Sequence, residues 1–418
     1  MLPYPIGAKG GWFAAAWCAF AVGCGDAADL PKDLEAGVRY PLALTPLPGG
    51  NRVLVWGANF DRMYRAGKVR AFDTGTETWT GAPLEVTGFV GGAALQLADS
   101  ATASAPLRAL MTSRETDDVT LVSFDKPAPL TLSCGEHDAF GRCSNTYPPN
   151  GNTNTQVTVG ADPMGIEVRP WTDDTSLVTT VALGDGRVSL LSIDVKGKVA
   201  SLGSLELGAG IVGVRTVAAT GVTYVSDARA AALHTFVVRS DPASPNGTAQ
   251  VVPGQAIAMP AGTSNDFGHG MALSADSGRL YVAYRSPPAL VEVDVAAGPG
   301  HKPRNVVAAV VPLGAMPSEV VLAPTGPGDR ELAYVSSFGD DAIWVVDPQL
   351  RQVVRRVPLP HAPYGLTAVQ VPAPTAKASV PGGWTLYAAL FGAHRVVALS
   401  LPIAASGKPV LRDIGVAP

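Results

Sequence analysis

Charged residues are scarce in this chain: Asp, Glu, Lys and Arg make up 16% of its 418 residues, and the net charge is −4. Without a basic block or an RNA-binding pattern, the chain lacks the electrostatic footprint of a nucleic-acid binder. The standard catalytic signatures are missing as well. There is no Gly-x-Ser-x-Gly elbow, no His-Glu-x-x-His pair and no Gly-Lys-Ser/Thr phosphate loop. No Asp-x-Asp-x-Asp-Gly calcium loop occurs, and Asp173-Asp174 and Asp340-Asp341 read as solvated hairpin turns. His137, His234, His301, His361 and His394 fall on turns and strand ends and form no ligand spacing. Gly208-Ala209-Gly210-Ile211-Val212-Gly213 spells a dinucleotide-type pattern. It opens a strand, however, and only a helix N-terminus would face a pyrophosphate.

What is abundant is apolar surface, at 47% of residues, together with 46 glycines and 36 prolines spread along the chain. Such a chain buries a large core and is not disordered. Scattered glycine and proline fit many short strands joined by tight turns.

Long apolar runs are absent apart from Trp12 to Gly23, which follows Lys9. That stretch is too short to span a bilayer and fits a signal h-region, so the remainder is expected to be soluble. It ends in Ala21-Val22-Gly23-Cys24, similar to a bacterial lipoprotein cleavage box in which the Cys24 thiol accepts diacylglycerol. Ala21 stands where leucine is commoner, and an ordinary signal peptide with a chance cysteine is the alternative. The expected organisation is a leader over 1–23, a flexible tether over 24–37 and one domain over 38–418.

Four cysteines are present. Cys18 leaves with the leader and Cys24 is lipidated, which leaves Cys134 and Cys143 as an even pair in an oxidising compartment. A disulfide between them is the expectation. The competing reading is a metal site of Cys134, His137 and Cys143 with Glu136 or Asp138 nearby, but no second cluster supplies the remaining ligands. The pair opens a polar insertion, 133–155, rich in Gly, Asn, Pro and Thr. A loop of that length in a compact domain is usually functional or disordered, and a crosslink argues for order.

Repetition organises the rest. Glu331 to Asp347 reads as an apolar strand, a Gly339-Asp340-Asp341 turn and a second apolar strand ending in aspartate. Arg279 to Asp294 and Thr385 to Leu399 follow the same plan, rich in β-branched and aromatic residues. A short strand opened by a small or proline-containing turn precedes each hairpin. Aligning Met164, Val212, His269, Ser318 and Tyr364 in those openings gives spacings of 48, 57, 49 and 46 residues. Outer strands follow, at Arg304 to Leu313 and Gln352 to Leu359. Four strands per unit of this length make a propeller blade.

Tyr334-Val335-Ser336-Ser337, Ala342 to Asp347, and Leu273-Ser274-Ala275-Asp276-Ser277-Gly278 resemble the Tyr-Val-Thr-Asn repeat family of lactonase-like propellers. The resemblance is good from about Pro163 onward and poor before it. No repeat keeps asparagine in the last signature position. The resemblance implies an all-β, seven-bladed β-propeller of four-stranded antiparallel blades, and counting the units along the chain also gives seven, with inner strands near Tyr40, Val90, Met164, Ile211, His269, Ser318 and Tyr364. Arg70 to Trp79 also resembles a kelch strand pair, but a single copy reads as packing. Closure is expected by packing of the first blade on the last, with completion of the last sheet by Ala36 to Tyr40 as the alternative.

Propellers place function where their inner strands begin, which brings His269, Ser318, Glu319 and Tyr364 to one rim as candidate binding residues. Glu167, Arg215 and Thr367 lie three positions further along and are candidates for the channel wall. His269 sits between two glycines that remove steric cover from its ring, and Glu319 occupies a slot that prefers glycine. That carboxylate has three candidate partners: His269, a metal or an arginine. Lactonase-type propellers hold calcium at this mouth, but Met164, Val212 and Gly91 make these slots apolar for a cation. No catalytic residue carries over. The chain is therefore expected to be a lipid-anchored, monomeric cell-envelope protein of the periplasm or cell surface. It is expected to bind an envelope protein or small ligand without catalysis. The alternative is a lactonase-like hydrolase with a divalent cation such as calcium at the channel mouth.

Overall fold

Central strands of the repeats are apolar on both faces because each blade is sandwiched between two neighbours. Val222–Asp227 is buried at every position, whereas the outermost Gln352–Pro358 alternates and exposes Val354. Period-two patterning thus survives only at the rim of the ring, where one face meets water. The chain is described from a computed structural model over residues 30–33, 37–97, 106–127, 130–134, 136–144, 159–240, 249–324, 330–372, 383–403 and 410–414. Cys24, the expected leader over 1–23 and residues 145–155 of the insertion lie outside the described residues.

Seven antiparallel sheets follow one another in chain order, each with its strands in sequence from the axis outward. Their inner strands are Pro41–Pro46, Val90–Leu97, Pro163–Thr172, Ile211–Val217, Gly268–Leu273, Pro317–Pro324 and Pro363–Val371. These match the seven positions expected from the repeats. The fourth blade gains a short fifth strand, Ile257–Ala258, against its third. No described helix is long and apolar enough to cross a membrane.

Blades adhere through side chains that fill the space between sheets. A tyrosine recurs as Tyr224, Tyr281, Tyr334 and Tyr387 on the second strands of blades 4 to 7, each at most 5% exposed. Burying one such ring stabilises by about 2 kcal/mol, and packing of the ring contacts adds to this. Trp79 packs as expected, edge-on to Phe72 at 6.1 Å with the Arg70 guanidinium 5.5 Å from its centroid.

Closure uses no shared strand. Blade 1 runs from Pro41 to Val86, and blade 7 runs from Pro363 to Asp413. Across the seam Phe72 meets Tyr387 at 4.9 Å, and Arg412 makes a forked ion pair with the buried Glu77 carboxylate at 2.8–3.0 Å. Of the alternative closure through Ala36 to Tyr40, Ala36 lies outside the described residues. Residues 37–40 pair with no strand of the last sheet, and Tyr40 instead donates its backbone N–H to His394 Nδ1.

The inner strands share a bulge after their first residue, and the third residue is glycine in five of the seven: Gly92, Gly165, Gly213, Gly270 and Gly365. Close approach demands it. A Cβ at Gly92 would lie 2.7 Å from the Met164 carbonyl oxygen of the next blade, and one at Gly213 2.8 Å from that of His269. Blade 1 carries Ala43 in this slot and blade 6 carries Glu319.

A hydroxyl completes the bulge in alternate blades. Thr112 Oγ1 accepts from Gly92 N–H at 2.8 Å and donates to the Met164 carbonyl at 3.2 Å. Ser226 Oγ does the same between Gly213 and His269, and Ser336 Oγ between Glu319 and Tyr364. The matching slots of blades 1, 3, 5 and 7 hold Trp56, Val181, Ala283 and Ala389.

Candidate functional site at the channel mouth

Because the inner strands converge, they enclose a cavity of about 160 Å³ on the axis, to which all seven blades contribute. Its wall is mostly backbone and small or apolar groups, among them Leu42, Gly92, Met164, Val212 and Met271. Four polar side chains interrupt that wall: Arg215, His269, Glu319 and Tyr364. Three of these are the expected rim residues.

Ser318 does not line the cavity. It is buried, donates to the Met316 carbonyl at 3.1 Å and accepts from Arg285 at 3.0 Å. Its role is to hold Arg285, whose Nε also donates to the Pro317 carbonyl. Thr367 is buried as well, and Glu167 turns aside to accept from the backbone N–H and hydroxyl of Thr216 on blade 4. Of the three deeper candidates only Arg215 reaches the lumen.

His269 meets Asp266 rather than Glu319. Its Nε2 lies 2.7 Å from Asp266 Oδ1, and Asp266 Oδ2 accepts from Arg285 at 3.1 Å. Burial, aided by the nearby Arg285 charge, depresses the imidazole pKa against the pull of Asp266. Burial pushes the Asp266 carboxyl up, yet the hydrogen bond to His269 and the Arg285 guanidinium outweigh it and hold it low.

Glu319 stands apart. Its backbone N–H is satisfied by Ser336, but no described side chain hydrogen-bonds its carboxylate. Burial drives its pKa up to about 7, and the charges of Arg215 and Arg285 only partly oppose that rise. Arg215 is likewise without an ion-pair partner within 4.0 Å among the described residues, and its one hydrogen bond goes to the Val214 carbonyl. Two ionisable groups of opposite sign therefore face one small cavity with no ion pair between them among the described residues. Burial also raises the Tyr364 phenol, which stays protonated at neutral pH.

One side of the mouth was not anticipated. Phe89, Phe60, Phe391, Phe338 and Tyr364 form a connected crescent, with centroid separations of 5.4, 5.2, 5.9 and 6.3 Å along it. Tyr40 joins at 5.0 Å from Phe391. All are half-buried except Phe60, which is 45% exposed. Apart from Tyr364, on the inner strand of blade 7, the phenylalanines come from the turns at the inner-strand end of blades 1, 2, 6 and 7, too far apart in sequence for any spacing to announce them. The hairpin alignment carries a usable signal: the slot one residue past the partner of the first inner-strand residue holds Phe338 and Phe391 in blades 6 and 7 but Arg114 and Arg285 in blades 2 and 5. The mouth is thus aromatic on one side, where the charged Arg62 and Asp61 lie against Phe89 and the Tyr40 hydroxyl.

Away from the axis, Cys134 and Cys143 form the expected disulfide, with Cα atoms 5.8 Å apart. It staples a two-stranded ribbon of Glu136–His137 and Cys143–Ser144. His137 Nε2 lies 3.7 Å from Cys134 Sγ, so the three residues do cluster. With both sulfurs bonded to each other they offer no thiolate to a metal. Asp138 is engaged by Arg142.

No protein-family model matches the chain, and no curated protein matches it in sequence. Solved structures do resemble it. The periplasmic gluconolactonase of Pseudomonas aeruginosa superposes with a TM-score of 0.57 at 17% identity, over 79% of this chain and 89% of that one. Hydrazine synthase of Kuenenia stuttgartiensis gives 0.59 at 14% identity, over 91% and 100%. Virginiamycin B lyase of Staphylococcus aureus gives 0.51 at 11% identity, over 87% and 95%. At such identities the likeness defines the fold: a seven-bladed propeller of a shape that includes lactonase-like proteins.

Proposed function

We propose that this protein is an exported propeller, anchored in the cell envelope by a lipid on Cys24, that binds a small ligand in its central cavity without transforming it. The observation that carries the ligand reading is that Glu319 and Arg215 face one mostly apolar cavity with no ion pair joining them. Uncompensated charge in a desolvated place is costly to maintain, and a ligand that discharges it gains affinity and selectivity. Catalysis lacks support for want of a second group: His269 is held by Asp266, and Asp266 by Arg285. Exposed mouth loops on a rigid ring suit binding.

The second reading is a cation-dependent, lactonase-like hydrolase. It is favoured by the likeness to a periplasmic gluconolactonase and opposed by the single carboxylate in the wall, since calcium takes six or more oxygen ligands. A lactone hydrolysis assay with and without added calcium separates the two. Turnover abolished by a chelator and by Glu319→Gln would establish the hydrolase. For the anchor, Cys24→Ala should yield protein that no longer partitions with detergent; unchanged partitioning would refute lipidation at that residue.

A further inference from the structure

We propose that the ligand of the central cavity is a small zwitterion with an apolar or aromatic side group, that is, a molecule of the amino-acid class. This inference rests on the reading of the cavity as a ligand site and gives that ligand a chemistry. Glu319 occupies the third position of its inner strand and Arg215 the fifth of its own. At about 3.3 Å per residue the backbone of Arg215 stands two positions, roughly 7 Å, further along its strand than that of Glu319 along its own. Blade 5 lies between them, and its Gly270 leaves the Glu319 carboxylate free to lean toward the lumen.

A carboxylic acid alone would satisfy Arg215 and bring a second negative charge toward Glu319. An amine alone would satisfy Glu319 and face Arg215. A neutral polyol would leave both charges undischarged. Only a molecule carrying an ammonium and a carboxylate compensates both, and the forked guanidinium is shaped for a carboxylate. The rest of the wall suits the apolar part: Leu42, Ile166, Val212, Met271 and Leu366 line it. Its volume of about 160 Å³ is close to that of an apolar cavity known to take one benzene ring, about 150 Å³. At the entrance Tyr364 links the cavity to the aromatic crescent, so that a ring leaving the lumen meets ring edges rather than water.

Calorimetric titration tests this with four probes: L-phenylalanine, 3-phenylpropionate without its ammonium, 2-phenylethylamine without its carboxylate, and gluconolactone as a neutral ring. The amino acid should bind at least tenfold tighter than either truncated analogue. Glu319→Gln should erase its advantage over phenylpropionate, and Arg215→Gln its advantage over phenylethylamine. Both variants are to be checked for an intact thermal transition. Equal binding of the truncated analogues, or an amino-acid affinity unmoved by both substitutions, overturns the proposal. Should gluconolactone bind instead and respond to Glu319→Gln, the zwitterion falls while the cavity reading stands. If none of the probes binds, and a Met164→Trp plug changes no property of the protein, the cavity reading falls too.

Discussion

The carboxylate of Glu319 occupies the space that a side chain on Gly270 of the preceding blade would need. A Cβ there would collide with Glu319 Oε2 and lie 2.8 Å from the Ser318 carbonyl oxygen. Gly270→Ala should therefore destabilise the fold by about 1–3 kcal/mol through overpacking. Adding Glu319→Gly should restore part of that loss, the backbone clash accounting for what remains. Thermal melts of the three variants check this, and an unchanged midpoint for Gly270→Ala would disprove the close approach.

Glu319 also makes stability depend on pH in a defined direction. Its folded pKa of about 7 lies above its ordinary 4.5. Below pH 4.5 the group is protonated in both states and costs nothing. Between the two values the unfolded chain has already released the proton, so stability falls as pH rises, and above 7 the full cost is present. Glu319→Gln should then stabilise by about 1–2 kcal/mol at pH 8, allowing for solvent in the channel, and by nothing at pH 4. Urea unfolding at both pH values measures it, and a pH-independent difference would contradict it. His269 acts at the other end: its folded pKa lies below 6.5, so stability is lost as pH falls beneath that value.

The hydroxyl of Ser226 serves one donor in its own blade and one acceptor in the next. Ser226→Ala strands both buried groups and should cost about 1–3 kcal/mol. The same change at exposed Ser201 should be silent. Equal effects at the two sites, read from denaturant midpoints, would remove the bridging role.

Unreduced peptide mapping should recover Cys134 joined to Cys143. Cys143 is fully buried beside Val86 and Leu130, and the closed loop is short, so Cys143→Ser should lose about 2–3 kcal/mol. Alkylation of both thiols in the unreduced protein is the contrary result.

Architecture was legible because it repeats. Met164, Val212, His269, Ser318 and Tyr364 mark equivalent slots, and the structure keeps them equivalent. The departure of Glu319 from the glycine pattern was visible for the same reason. Side-chain direction was not: Ser318 and Glu319 are adjacent, yet the bulge turns one inward to Arg285 and the other to the lumen. Asp266 was missed as the partner of His269 because it precedes the strand and belongs to no repeat slot. The aromatic crescent joins turns that meet only when the ring closes, a relation of sequence-distant loops that local pattern does not encode.

Seven is odd, and a two-state alternation cannot run round an odd ring without a fault. The hydroxyl links join blade 2 to 3, 4 to 5 and 6 to 7, which leaves blade 1 with no such link on either flank. The fault coincides with the seam, where Arg412 and Glu77 take over. By these hydroxyl links alone the ring is three doublets and one singlet, and the singlet should be the first to open. Native-state hydrogen exchange should find amides of Arg52–Gly57 less protected than those of Glu331–Ser337, and the reverse order would mean that the hydroxyls do not set the weak point.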